Sequence, residues 1–180
     1  MDALKVLLER RSIRKYRAVN VSDEVLQEIV EAGLYAPSGL NLQPWYFVVV
    51  RTPEKMTQVR AVMSVVALRF NPILQKQFHD HPEVITETNN FLVTLGGAPA
   101  CVLVYADKPY GAEGRDNVIE SISAAIENMQ LAAWNRGVGS CWIGAPNHVD
   151  CAGLFEAGFA AGRGEFVAAL TLGYPAEDPK

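Results

Sequence analysis

The densest run of chemistry-bearing side chains is Arg10-Arg11-Ser12-Ile13-Arg14-Lys15-Tyr16-Arg17, which holds five of the chain's 16 basic residues. Guanidinium groups match phosphate oxygens in a bidentate way, and a serine hydroxyl adds a neutral hydrogen bond. Arg10, Ser12 and Arg14 alternate, so an extended segment would aim all three one way. Such a cluster can hold a terminal phosphate. A solvated basic surface is the competing reading. A nucleic-acid arm finds no support, because the chain carries a net charge of −4 and no second basic patch.

Two further segments carry polar groups on tight backbone. In Pro37-Ser38-Gly39-Leu40-Asn41-Leu42-Gln43-Pro44-Trp45, Asn41 and Gln43 each offer one acceptor and a pair of donors. That suits a ligand edge of alternating donors and acceptors, such as the pyrimidine edge of a flavin, and Gly39 lets backbone approach closely. An ordinary structured turn fits this segment equally well, and Trp45 reads as core. Gly137-Val138-Gly139-Ser140-Cys141-Trp142-Ile143-Gly144-Ala145-Pro146 lacks Gly-x-Gly-x-x-Gly spacing. Its glycine-bounded turn can still present backbone N–H groups to a ring nitrogen. Cys141 has no histidine or carboxylate beside it in sequence and reads as a buried, inert thiol. His148 reads as a capping or surface histidine rather than a general acid.

Other chemistry is excluded by absence of its signatures. There is no Gly-x-Ser-x-Gly elbow, Walker loop or His-Glu-x-x-His motif, which leaves no hydrolase or kinase reading. Three cysteines and three histidines form neither a disulfide framework nor a zinc spacing, so no metal is expected. Free thiols fit a reducing cytoplasm. Phe91 to Ala106 is the longest apolar-rich stretch, and Gly96, Gly97 and Pro99 break it, so no membrane span is expected.

The elements that must position these segments read as follows. The chain's 180 residues, 49% hydrophobic and 20% charged, suit a single domain over 1–180. Residues 2–10 read as a helix with Leu4, Leu7 and Leu8 on one face. Ser22 is an N-cap for a second helix, followed by Val25, Leu26, Ile29 and Val30 at helical spacing. Trp45 to Val50 reads as a buried strand and 53–70 as a helix. The polar stretch 71–83, with Pro72 and Pro82, reads as an excursion or lid. Residues 84–95 read as helix, Ala100 to Tyr105 as a buried strand, and Asp107 to Gly114 as a loop. The periodicity of Val118, Ile119, Ile122, Ala125, Ile126, Met129 and Ala133 gives a helix at about 116–135. Ala124, Leu131 and Ala132 widen its apolar surface, so it is expected to be buried on most sides. A short strand at 138–143, a helix at 148–158 and a strand at 165–173 follow. This order lacks a clean βαβ alternation, so the class is α+β.

The segments Arg10-Arg-Ser-Ile-Arg14, Ala36-Pro-Ser-Gly-Leu-Asn-Leu-Gln-Pro-Trp45, Gly137-Val-Gly-Ser-Cys-Trp-Ile-Gly144 and Leu172-Gly-Tyr-Pro175 occur in this order. Together they resemble the FMN-dependent nitroreductase family, over nearly the whole chain. The resemblance implies a mixed, mostly antiparallel sheet of four to five strands wrapped by helices. It implies a homodimer with FMN at the interface, with 116–135 as the central dimer helix. It points to Arg10, Arg11, Ser12 and Arg14 for the phosphate and pyrimidine side. Pro37, Ser38, Gly39, Asn41 and Gln43 would reach the flavin from the partner subunit. Ile143 and Gly144 would lie by the ring and offer N5 a backbone N–H.

The implied activity is an NAD(P)H oxidoreductase, with NADH or NADPH as donor. It would pass electrons by a ping-pong mechanism to a nitroaromatic, quinone or similar small acceptor, with no catalytic side chain assigned. The alternatives are an FMN enzyme of other chemistry (dehalogenation, enone reduction, flavin fragmentation) or a non-enzymatic flavin-binding redox protein. Arg14 or Lys15 is the candidate cation for the N1–C2=O edge. Many relatives carry a basic residue shortly after Leu-Gly-Tyr-Pro. Here only Lys180 follows, with Arg69 and Arg163 as candidate substitutes.

Overall fold

The computed structural model describes residues 3–107 and 114–178. Its centre is a four-stranded sheet in the order β1-β2-β4-β3, formed by Trp45–Val50 (β1), Ala100–Ala106 (β2), Gly139–Ile143 (β3) and Glu165–Gly173 (β4). All three strand pairs are antiparallel. The expected mixed character is confined to one isolated parallel bridge, Ser12 to Ser140.

Alternation along β2 divides the interior in two. Ala100, Val102, Val104 and Ala106 face a core shared with helices α2 (Asp23–Leu34) and α5 (Arg115–Asn135). Cys101, Leu103 and Tyr105 face the opposite core, against α3 (Pro53–Gln77), α4 (Pro82–Thr94) and α7 (Ala152–Phe159). Both faces are covered, which is why β2 reads as an unbroken apolar run. β1 lies at the sheet edge, so it is only partly buried and Val49 is 39% exposed, against the expectation of a fully buried strand.

Local chemistry explains the helix limits. The Ser22 hydroxyl caps α2 by accepting from the Val25 N–H at 3.4 Å. α5 ends in a left-handed Gly137, φ +70°, with Val138 N–H donating to the Ala133 carbonyl and Gly137 N–H to Trp134. That is the Schellman stop. In α5, Val118, Ile122, Ala125, Ile126, Met129 and Ala133 are buried, whereas Ala124, Leu131 and Ala132 remain half-covered by the single chain. In α1 (Ala3–Glu9) the buried residue is Val6, and Leu4, Leu7 and Leu8 are exposed.

Two expectations about the helical layer are corrected. α3 does not stop near residue 70 but runs through Pro72 to Gln77. Leu74 is buried beyond the proline, and Asn71 accepts from the Asn89 side chain of α4 at 2.7 Å. Tertiary anchoring on both sides offsets the lost backbone hydrogen bond. The expected lid over 71–83 thus shrinks to the turn 78–81. The expected helix over 148–158 is two helices, α6 (Ala145–His148) and α7, broken where Asp150 takes φ +53°. Of the loop expected over 107–114, residues 108–113 lie outside the described residues.

Candidate functional site

Segment 10–17 is a strap over the sheet, pinned at nearly every residue. Arg10 N–H donates to the Val6 carbonyl, Ile13 to Ser140, Tyr16 to Gly96 and Arg17 to Tyr174. Ile13 is fully buried and packs against Gly139, where a Cβ would collide with it. The Tyr16 hydroxyl donates to the Ile13 carbonyl at 2.6 Å and lies 2.8 Å from the Thr171 hydroxyl. Burial pushes its phenol far above the usual range. Apolar Ile13 and Tyr16 therefore anchor the strap, leaving Arg11, Arg14, Lys15 and Arg17 exposed.

Arg11, Ser12, Arg14 and Lys15 line a cavity of about 810 Å³. Arg10 does not line it: Nε lies 3.4 Å from the Glu127 carboxylate on α5. The reason is local. Residue 10 still belongs to the turn closing α1, so the extended alternation begins only after it. Arg11 Nη1 donates to the Leu8 and Arg10 carbonyls, each at 2.9 Å. Three carboxylates, Glu87, Glu177 and Asp178, complete the lining. Glu177 accepts from the backbone N–H of Arg14 at 2.6 Å and of Lys15 at 3.2 Å. Ala176 N–H donates to the Lys15 carbonyl, so residues 174–177 run back along the strap.

Sequence reasoning missed all three carboxylates. Glu177 stands two residues after Leu172-Gly-Tyr-Pro175, but its contact spans 163 residues and no local pattern signals it.

Segment 37–43 sits elsewhere on α5. Gly39 N–H donates to the Ser121 hydroxyl at 3.2 Å, and a Cβ on Gly39 would run into the Asn117 side chain. Glycine here allows close approach to α5. Ser121 and Glu127, the α5 partners of the two segments, lie about 9 Å apart along the helix axis and point about 120° apart around it. Within one chain, the two segments therefore meet different faces of α5.

The loop is held mainly by itself. The Ser38 hydroxyl accepts from Gln43 N–H at 3.0 Å, and the Gln43 side chain donates to Asn41 Oδ1 at 3.1 Å. Leu40, Asn41 and Gln43 all take left-handed φ of 46–53°. Such strain gathers at functional sites, where surroundings over-determine it. Pro37 and Asn41 are exposed, and Leu40 is 95% exposed. Trp45, buried and stacked on Phe47, is core as expected.

Ile143 is buried at the end of β3, and Gly144 follows, half-buried, with open space where a Cβ would stand. Ser140, which bridges Ser12, is the second residue of the same strand, four residues before Gly144 and about 13 Å from it. β3 thus joins the strap to the Gly144 turn.

Burial raises the Cys141 thiol above its ordinary range, although the nearby Arg14 and Arg10 guanidinium groups oppose this, which leaves it a protonated core group. His148 is exposed, its ring 6.3 Å from that of Phe70. The two candidate substitutes for a phosphate cation after Pro175 make other contacts. Arg69 donates to the Val149 and Asp150 carbonyls, while Arg163 pairs with Asp107 and covers the Tyr46 ring. Lys180 lies outside the described residues. Among the described residues no cluster suited to a metal ion occurs, and no helix is long and apolar enough to cross a membrane.

Known proteins share both the sequence and the fold. A protein of Archaeoglobus fulgidus, provisionally named NADH dehydrogenase/NAD(P)H nitroreductase, is 33% identical over 143 residues, covering 79% of this chain and 67% of that protein. A nitroreductase with bound FMN from Desulfitobacterium hafniense superposes with a TM-score of 0.78 at 25% identity, covering 99% of this chain and 92% of that one. A BluB-like flavoprotein from Clostridium difficile 630 gives 0.76 at 28% identity, covering 100% and 93%. The Nitroreductase family model matches residues 7–174, from α1 to the end of the last strand, so the chain belongs to the nitroreductase family.

Proposed function

We propose that this chain is an FMN-dependent oxidoreductase that takes electrons from NADH or NADPH and passes them, by a ping-pong mechanism, to a nitroaromatic, quinone or similar small acceptor. The observation that carries the reading is the cavity of about 810 Å³ in which Ser12, Arg11, Arg14 and Lys15 stand with Glu87, Glu177 and Asp178, joined through β3 to the open Gly144 turn. Its volume falls in the range of cofactor sites. When bound, FMN would supply the redox chemistry that the side chains lack.

The residues present fit that cofactor. Ser12, Arg11 and Arg14 suit its phosphate and pyrimidine side, and Arg14 or Lys15 can stabilise negative charge at the N1–C2=O edge. Gly144 leaves backbone open beside the ring, and Ile143 behind it excludes water. Arg10, held by Glu127, orients the strap from the α5 side. Ping-pong exchange requires a site that donor and acceptor enter in turn, and no catalytic acid or base is assigned, since an open site takes protons from solvent.

A homodimer fits the exposed apolar side chains. Leu4, Leu7 and Leu8 on α1, Leu34 and Tyr35 at the end of α2, and Leu40 at the loop tip are all exposed. A second copy would cover them, bring Pro37, Ser38, Gly39, Asn41 and Gln43 to the partner's cavity, and support the left-handed loop. The three buried, unpaired cysteines fit the cytoplasm.

The test is the absorption spectrum of the purified protein, followed by anaerobic addition of NADH and then NADPH. A flavin band bleached by one of them is the expected result and identifies the donor. The likeness to a BluB-like flavoprotein supports one second reading, an FMN enzyme of other chemistry. A flavin band that neither nicotinamide bleaches would favour it. Absence of a flavin band after incubation with FMN would end both readings.

A further inference from the structure

The carboxylate of Glu177 occupies the position an incoming anion would seek. Backbone N–H groups of two successive residues aimed at one point form an anion-binding concavity. On the strap those groups belong to Arg14 and Lys15, and both donate to Glu177 Oε1, at 2.6 and 3.2 Å. The same carboxylate lines the cavity of about 810 Å³ that holds Arg11, Arg14 and Lys15, and it also lines an adjoining cavity of about 360 Å³ with Glu87. Among the described lining residues, Arg11, Arg14 and Lys15 are thus matched in number by the carboxylates Glu87, Glu177 and Asp178.

We propose that Glu177 is a specificity-determining residue of this site, an internal anion that takes the Arg14 and Lys15 amides and lowers the cavity's preference for phosphorylated over unphosphorylated flavin. This rests on the flavin reading above. A phosphomonoester carries about −1.5 to −2 charges at pH 7. It must share the cations with Glu177 and is repelled by it. Riboflavin, which lacks the phosphate, meets no such cost. Glu177 therefore narrows the advantage that the Arg11, Arg14 and Lys15 cations give FMN over riboflavin, and neutralising Glu177 widens it.

Equilibrium dialysis of the full chain against FMN and against riboflavin tests this, with the ratio of the two dissociation constants as readout. Glu177→Gln keeps an oxygen acceptor for the two amides and removes the charge. It tightens FMN by about fivefold to tenfold at low ionic strength and leaves riboflavin within about twofold. The gain shrinks in 0.5 M salt, because exposed charges are then screened. Glu177→Asp keeps the charge and the wild-type ratio. Glu177→Ala removes the acceptor as well, so the strap loosens, the thermal midpoint falls and both flavins bind more weakly.

A purely structural clamp would move both flavins together in every variant. That result, or an unchanged ratio in Glu177→Gln, overturns the proposal while the flavin reading stands. Failure of every variant to bind either flavin overturns the flavin reading and this proposal with it.

Discussion

The strap at 10–17 and the loop at 37–43 are held by opposite means. The strap is stitched to α1, β3, the turn after α4 and the returning tail, with Ile13 and Tyr16 buried beneath it. The loop makes its hydrogen bonds chiefly to itself, touches α5 through Gly39 and exposes Leu40 at a left-handed tip. The single chain thus holds the cation-bearing segment on several sides, whereas the amide-bearing loop is the one that the proposed dimer would cover. Backbone pairing buried on a sheet is cooperative with the fold; a strained, self-bonded loop gains its rationale only from what covers it.

The largest test of this contrast uses two glycines. Gly96 sits at φ +62°, and a Cβ there would strike the Arg14 carbonyl, which cannot yield. Gly96→Ala is expected to cost about 3 kcal/mol in urea unfolding. Gly39→Ala strikes the far end of the Asn117 side chain, which can turn away, and should cost about 1 kcal/mol. Equal costs would show that the strap is no more rigidly held than the loop.

Tyr16→Phe removes a buried hydroxyl that serves both the Ile13 carbonyl and the Thr171 hydroxyl. The Thr171 hydroxyl, no longer donating to Tyr16, can turn to the Cys141 carbonyl 3.3 Å away, so the expected loss is about 1.5 kcal/mol, read from the same unfolding curve.

Alkali should reach the strap before the loop. Burial pushes the Cys101 thiol, opposite Thr171 in the sheet, from 9.0 up to about 12, and Cys141 moves in the same direction. The folded state therefore keeps these protons while the unfolded chain releases them. The stability they contribute is intact below pH 9 and falls between pH 9 and 12, by about 1.4 kcal/mol per pH unit for Cys101. Urea midpoints at pH 8, 9 and 10 measure the slope, and Cys101→Ala should flatten it. An unchanged slope would mean that the sheet beneath the strap is not the alkali-sensitive element.

The smallest effect belongs to Gln43→Ala, which removes one exposed bond to Asn41 and should leave stability within about 0.5 kcal/mol. A larger loss in the isolated chain would show that the loop is fixed without a covering surface.

Much of this protein was legible in its residues. The Ser22 cap, the Gly137 stop, the periodicity of α5 and the apolar run of β2 each rest on interactions within a few positions, so one-dimensional patterns reported them. The four segments that mark the family were likewise readable in order and spacing. Tertiary structure decided the rest. Pro72 lies inside a helix because Leu74 and Asn71 are anchored on either side of it. Arg10 turns to Glu127 because α1 ends one residue too late for the alternation to include it. Glu177 reaches Arg14 and Lys15 only because β4 delivers the tail back along the strap. Those contacts join residues far apart in sequence, and only the topology of the sheet brings them together.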